Sequence, residues 1–284
     1  MARFRVVYFG SNDVPVQLIK PILDGIDAEL VIARPKNDAD VVESGRDADG
    51  IIMHGSVPFT REIIARLKRC RVVCRTGVGV DRMDLQAAAE HGMKVCNAAG
   101  CNSIEVAEQT IGLLIAVARK LTRMNQYVRE GRWRRHSAEL HAYRGPVSRI
   151  AGRSLGIVGL GHVRKMFGKA QFAAMKPAAF LINCARGGLV DTDALYDALA
   201  AGQIAGAALD VTDPEPLPAD HKILTLANVI VTCHTAANSN ESYADCQTHA
   251  AREVARVLTG QAPTTEVKDP WLLAEAHDQG FGGV

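Results

Sequence analysis

The sequence predicts two α/β domains, each built on a parallel sheet, with the second domain shortened. Three observations carry this. Short Val- and Ile-rich runs alternate with helix-length segments from the N-terminus to Gly100, and the alternation resumes after Arg153. A long helical pattern separates the two series. In the second series, a glycine-rich turn is followed too soon by the next strand. Alternating strands and helices imply right-handed βαβ crossovers, hence parallel sheets covered on both faces.

In the first series RVVYF (5–9), AELVIA (28–33), GIIMHG (50–55), RVVCRTG (71–77) and KVCNAAG (94–100) read as strands. Helix-like VQLIKPIL, TREIIARLK and DLQAAAEHG lie between them. From Asn102 the run NSIEVAEQTIGLLIAVARKLTRMNQYVREG predicts one helix of about eight turns. Asn102 and Glu105 fit a capping box. Ile104, Ala107, Ile111, Leu114, Ala118 and Leu121 recur at three- and four-residue spacing as an apolar stripe. So long a helix predicts packing against another domain or another subunit. After a loop over 131–153 come SLGIVGLG (154–161) as strand and turn, AAFLINCA (178–185) as a strand and DTDALYDALAAGQ (191–203) as a helix. AGAALDV (205–211) and NVIVTCHTA (228–236) are further strands. ESYADCQTHAAREVARVLTG (241–260) is a closing helix with Gly260 as its cap. The tail from Gln261 is expected on the surface.

A length of 284 residues suits two domains. With 48% hydrophobic and 23% charged residues the composition is that of a globular protein. A net charge of +2 gives no electrostatic case for nucleic acid or an anionic membrane. Arg129, Arg132, Arg134 and Arg135 read as the solvated end of the long helix, where cations are favoured. Seven cysteines without a CxxC pair suggest reduced, buried thiols and no metal site. MARFRVVYFG enters a strand without a signal-peptide core, and no apolar run reaches spanning length. The expectation is a cytoplasmic protein.

Gly159 and Gly161 fit the first two positions of a GxGxxG turn, but Arg164 occupies the third. Alone, such a turn does not separate nucleotide binding from an ordinary strand-to-helix connection. Three polar residues downstream add weight: Arg186, Glu215 and His234 each follow a predicted strand end. Ligands of open parallel sheets sit at the carboxyl ends of strands, so the three could share one crevice. An arginine that clamps a carboxylate or carbonyl, a histidine that donates a proton and a glutamate that orients the imidazole and favours its protonated form suit reduction of a 2-oxo acid.

The chain resembles the D-isomer-specific 2-hydroxyacid dehydrogenase family over nearly its whole length. The match is carried by CRTGVGVDRMDLQAAAEHGMKVCN, NSIEVAEQTIGLLIAVAR, GRSLGIVGLG, MKPAAFLINCARGGLVDTDAL, IAGAALDVTDPEPLP and NVIVTCHTA. The flavour is closest to phosphoglycerate dehydrogenases and the C-terminal-binding-protein branch. Glu215 stands where formate-oxidising relatives carry glutamine. The resemblance implies two Rossmann-like or flavodoxin-like domains with a cleft between them. Residues 1–98, with 237–284 returning towards them, would be the substrate-binding domain; 99–236 would be the NAD-binding domain, shortened after residue 164. It implies Arg186, Glu215 and His234 as catalytic residues and Gly77, Val78 and Gly79 as the loop holding the substrate carboxylate. Gly159, Gly161, Cys184, Ala185 and Asp210 would contact the cofactor, NAD, with NADP also open. The implied partners are a small 2-oxo or 2-hydroxy acid and a second copy of the chain, joined through helix 102–130.

The chain departs from the family between the glycine turn and AAFLIN, where only HVRKMFGKAQFAAMKPA stands. At roughly 30 residues per βαβ unit, about 50–60 residues are absent. No Asp or Glu occurs from Leu140 to Val190, so the adenosine ribose has no candidate ligand. The shortest repair is one helix through Lys165 to Met175, weakened by Gly168 and leading back to pair AAFLIN beside SLGIVGLG. Two alternatives to an active dehydrogenase follow: a catalytically weak or inactive dimeric binding protein on the same scaffold, or an internally deleted dehydrogenase.

Overall fold

The computed structural model describes residues 2–10, 14–55, 57–133, 138–147, 149–157 and 166–268. The chain divides into two compact units, Met1–Ser103 with Asn238–Val284, and Ile104–Ala237.

The first unit carries β1 (Phe4–Phe9), α1 (Val16–Asp24), β2 (Ala28–Ala33), α2 (Asp38–Gly45), β3 (Gly50–Met53), α3 (Arg61–Ile64), β4 (Val72–Arg75), α4 (Leu85–Glu90) and β5 (Lys94–Cys96). Its five strands are all parallel, in the order β2-β1-β3-β4-β5. The central strands are buried on both faces over Val6–Phe9 and Gly50–Met53, which is why those stretches read as apolar runs. One face packs Val7, Phe9, Ile51, Met53 and Val73 against α2, α3 and α4. The other packs Val6, Tyr8, Ile52, Val72 and Cys74 against α1 and the closing helix. The side chains of Asn37, Thr60 and Asp84 cap the first turns of α2, α3 and α4, as these residue types favour.

In the second unit the expected single helix is two. α5 (Ser103–Arg119) and α6 (Leu121–Arg129) meet at Lys120, which adopts left-handed backbone at φ 56°. An L-residue there cannot continue a right-handed helix. The predicted stripe is also only in part the buried face. Leu113, Val117 and Ala118 are buried, whereas Ile104, Ile111 and Leu121 are exposed. The loop expected over 131–153 holds α7 (Ala138–Arg144). Arg132 is not a solvated helix end: it pairs with Glu130 and Glu139 and stacks on Tyr127 and Tyr143. Arg134 and Arg135 lie outside the described residues.

α8 (Lys169–Ala174), β6 (Phe180–Asn183), α9 (Thr192–Ala200), β7 (Gly206–Leu209) and β8 (Val229–Val231) complete this unit, with a parallel sheet ordered β6-β7-β8. α5 covers one face through Leu113 and Val117; α8 and α9 cover the other through Phe172, Leu195 and Leu199. The described part of SLGIVGLG, Ser154 to Ile157, forms no strand, contrary to expectation. Leu155 and Ile157 are 72% and 87% exposed. The repair helix is shorter than expected as well. Phe167 forms a bridge with Val190, which holds that stretch extended, and Gly168 caps α8 instead of weakening its interior.

The chain returns to the first unit in α10 (Asn240–Leu258), capped by Ser239, with left-handed Gly260 beyond its end. The tail is not merely superficial. Glu266 bridges Cys96, the Val267 amide donates to Val95 O, and buried Glu253 accepts from Thr264 and Thr265. Buried polar groups need such partners, and Glu253 draws the tail to the β5 edge.

Candidate active site

Arg186, Glu215 and His234 follow β6, β7 and β8, three adjacent parallel strands, on the carboxyl-end side of each. His234 Nδ1 lies 2.5 Å from Glu215 Oε1, and both side chains are a little under half exposed, 48% and 42%. This is the pairing expected of an imidazole oriented by a carboxylate. With Nδ1–H donating to Glu215, Nε2 is the nitrogen left for a ligand. His234 holds φ 57°, one of three non-glycine residues in left-handed backbone among the described residues. A non-glycine residue persists there only where its surroundings fix it, and such residues cluster at functional sites.

Asp210 does the fixing. It is 1% exposed, and its carboxylate accepts from Thr232 Oγ1 at 2.6 Å, the Thr235 amide at 3.1 Å and the Ala236 amide at 2.8 Å. Its carbonyl accepts from the His234 amide at 2.8 Å. Asp210 thus clamps the loop on both sides of His234. Any contact to a nicotinamide amide is left to the remaining lone pair of Oδ2.

Arg186 is exposed, with Nη1 donating to Ala185 O at 2.7 Å. Buried Asn183 holds the turn: its Nδ2 donates to Arg186 O at 2.9 Å and its Oδ1 accepts from the Ala185 amide at 3.1 Å. Gly187 brings this turn against the one leading to Glu215, since a Cβ there would stand 1.8 Å from Thr212 O. Cys184 is half-buried beside α5, where burial pushes its thiol pKa up, and Ala185 is exposed. Cys233, next to His234, is exposed, unlike the buried thiols expected.

Gly77, Val78 and Gly79 follow β4 in the first unit. Asn97 Nδ2 donates to Val78 O at 2.7 Å, Arg75 Nη1 donates to Gly79 O, and Gly77 O accepts from the Ala98 amide. Gly159 and Gly161 lie outside the described residues. The sequence reading missed Asn183, Gly187, Asn97 and the clamping role of Asp210. The signal for Asn183 was an amide closing the apolar run FLIN, a polar residue that burial obliges to find partners.

Residues 162–236 match the NAD binding domain of D-isomer specific 2-hydroxyacid dehydrogenases. The D-3-phosphoglycerate dehydrogenase of Methanocaldococcus jannaschii is 31% identical over 305 residues, covering 87% of this chain and 57% of the relative. The chain belongs to the D-isomer specific 2-hydroxyacid dehydrogenase family. Among other members, the glyoxylate reductase of Korarchaeum cryptofilum is 26% identical, covering 90% of this chain and 93% of that protein. The crystal structure of the TT0316 protein from Thermus thermophilus superposes with a TM-score of 0.77 at 27% identity, over 93% of this chain and 100% of that one. The chain spans about half the length of the phosphoglycerate dehydrogenases it matches.

The alignments also bear on the shortening. A match of 305 positions that uses 87% of 284 residues, about 247, leaves about 58 positions of the M. jannaschii dehydrogenase without a counterpart here. The glyoxylate reductase, matched over 315 positions with 90% of the chain, about 256 residues, leaves about 59. This agrees with two absent βαβ units and with a described sheet of three strands in the second unit.

Proposed function

We propose that the chain is an NAD(P)-dependent oxidoreductase interconverting a D-2-hydroxy acid and its 2-oxo acid, with His234 as the acid–base group. The observation that carries this is the His234–Glu215 contact, held by Asp210 at a strand end adjacent to that of Arg186. Residues 1–98 with 237–284 form the substrate-binding part and 99–236 the NAD-binding part. Arg186 binds the substrate's carboxylate or carbonyl oxygen and stabilises negative charge there. His234 Nε2 gives its proton to that carbonyl oxygen in reduction and recovers it in oxidation. Glu215 keeps the imidazole in orientation through Nδ1. Backbone groups of Gly77, Val78 and Gly79 hold the substrate carboxylate. Seven free cysteines suit a reducing compartment, so we place the activity in the cytoplasm.

The residues fit one end of a dinucleotide better than the other. Cys184, Ala185 and Asp210 would hold the nicotinamide, and Gly159 with Gly161 the pyrophosphate. When bound, the cofactor supplies or accepts the hydride. No carboxylate between Leu140 and Val190 is available to the adenosine ribose. The loss of such charged hydrogen bonds is worth about 1.5–3 kcal/mol, about 10- to 150-fold in affinity. That shortfall favours a second reading, a weakly active or inactive binding protein on the same scaffold.

We further infer a homodimer through α5, whose Ile104, Ile111 and Ile115 form an exposed apolar row at helical spacing. The functional test is NADH oxidation with hydroxypyruvate or glyoxylate. His234→Ala should lower the rate by about 10²–10⁴-fold. Measurable wild-type turnover that survives this change undiminished sinks the assignment of His234. No wild-type turnover at saturating NADH or NADPH favours the binding-protein reading.

A further inference from the structure

The positive charge of the chain is gathered in one stretch. Residues 119–153 hold ten lysines and arginines against two glutamates, a net +8, whereas the whole chain carries +2. The remaining residues are therefore net acidic, at −6. Charge asymmetry of this size concerns what a protein binds, not how it folds. Both glutamates of the stretch, Glu130 and Glu139, are already occupied by Arg132.

Part of this charge surrounds an open cavity of about 580 Å³ within the second unit. Arg119 at the end of α5, Met124 of α6, Leu140 and Arg144 of α7, and Val147 and Arg149 beyond it line the cavity. No carboxylate lines it, and among the described residues none of the three arginines forms an ion pair. The break at Lys120 shapes the site. Its left-handed backbone ends α5, and Lys120 Nζ donates to Arg144 O at 2.8 Å, which ties the end of α7 to the end of α5. The Lys120 ammonium is held below its usual range, first by burial and then by the charges of Arg123 and Arg144. Arg144 Nη2 donates to His141 Nδ1 at 3.3 Å, while its Nε is buried with no hydrogen-bond partner among the described residues. A buried donor in that position calls for an acceptor that the chain does not supply. Helix ends account for two of the arginines, since Arg119 and Arg144 each stand in the last turn of a helix, where cations are favoured. Arg149 belongs to no helix, so it adds a third like charge to the cavity with no helix end to serve.

We propose that this cavity binds a small molecule bearing a phosphate group, through the guanidiniums of Arg119, Arg144 and Arg149. A phosphate offers oxygens to several such forks at once, whereas a carboxylate fills one. Met124, Leu140 and Val147 give the body of the ligand an apolar wall, and the volume is that of a pocket for a small organic ligand. A nucleic-acid strand would instead need a groove that tracks its backbone. The cavity shares no residue with Arg186, Glu215 and His234, so its ligand is distinct from the 2-oxo acid proposed above.

Isothermal titration calorimetry of the full chain with phenyl phosphate, inorganic phosphate and benzoate tests this without any turnover. Phenyl phosphate should bind more tightly than the other two, which lack either the apolar body or the phosphate, and NADH should not displace it. Arg149→Glu should weaken its binding about 10- to 150-fold, and Arg149→Gln, which removes the charge alone, should do likewise. Arg153→Glu, at an exposed arginine outside the cavity, should leave binding unchanged. In melts without ligand, Arg149→Glu should unfold no lower than wild type, because it relieves repulsion among like charges. Phenyl phosphate should raise Tm for wild type and leave Arg149→Glu in place. A lower ligand-free melt for Arg149→Glu would make Arg149 a structural residue and overturn the proposal. Equal losses of binding in Arg149→Glu and Arg153→Glu would mean attraction by the basic stretch as a whole and overturn the site. So would no binding of phenyl phosphate, benzoate bound as tightly, displacement by NADH, or an RNA oligomer bound where phenyl phosphate is not.

Discussion

Replacing Gly187 by alanine puts a methyl group where backbone already stands. The added Cβ would lie 1.8 Å from Thr212 O, 2.1 Å from Thr212 C and 2.8 Å from Asp213 N. Ordinary contact begins near 3.4 Å, so the turns after β6 and β7 must part by about 1.6 Å. No flexible side chain can absorb this, which puts the cost at the upper end of overpacking, about 3 kcal/mol. For a chain of this size that lowers Tm by about 6–12 °C. Glu215 lies three residues beyond Thr212, so the displacement also opens the 2.5 Å contact to His234. Misplacement of catalytic groups on this scale costs about 10²-fold in rate. Gly188→Ala is the control, because its Cβ would meet nothing nearer than Asp213 Oδ2 at 3.9 Å. Circular-dichroism melts and steady-state NADH oxidation read the two effects separately. A Gly187→Ala variant that melts and turns over like Gly188→Ala would refute the reasoning.

Glu253→Gln should destabilise the first unit by about 1.5–3 kcal/mol in urea unfolding at pH 7, because it removes the charge that Thr264 and Thr265 donate to. Burial pushes the Glu253 carboxyl up, but those hydrogen bonds outweigh it and hold the carboxyl below its usual value. A depressed folded value contributes stability above the unfolded pKa and loses it as pH falls through the folded one. The gap between wild type and Glu253→Gln should therefore narrow in acid; a gap that widens there contradicts the assignment. Ile111→Asp, placed in the exposed row of α5, should turn a dimer into a monomer in light scattering, with secondary structure kept. A wild-type chain that is already monomeric at micromolar concentration removes the dimer proposal.

The first sheet was legible because strands buried on both faces must carry apolar runs, as Val6–Phe9 of β1, all of β3 and Val72–Cys74 of β4 do. The pairing of Glu215 with His234 was legible for a different reason: polar residues just beyond parallel strands have one edge of the sheet to share. The break at Lys120 was not, since apolar spacing runs on through 121 and lysine carries no signal for left-handed backbone. SLGIVGLG has the composition of a buried strand, yet its described residues Leu155 and Ile157 are exposed and join no sheet among the described residues. Gly187 looked like one glycine among many. Its necessity lies in the approach of Thr212, a contact between segments 25 residues apart that no local pattern records.

The central claim is that this shortened chain keeps D-specific 2-hydroxyacid chemistry at Arg186, Glu215 and His234. Chiral chromatography of the product formed from hydroxypyruvate and NADH tests it most directly. The account predicts NADH consumed in step with glycerate of the D configuration alone, formed about 10²–10⁴-fold more slowly by His234→Ala. Glycerate of the L configuration, or no glycerate at saturating NADH and NADPH, would contradict it.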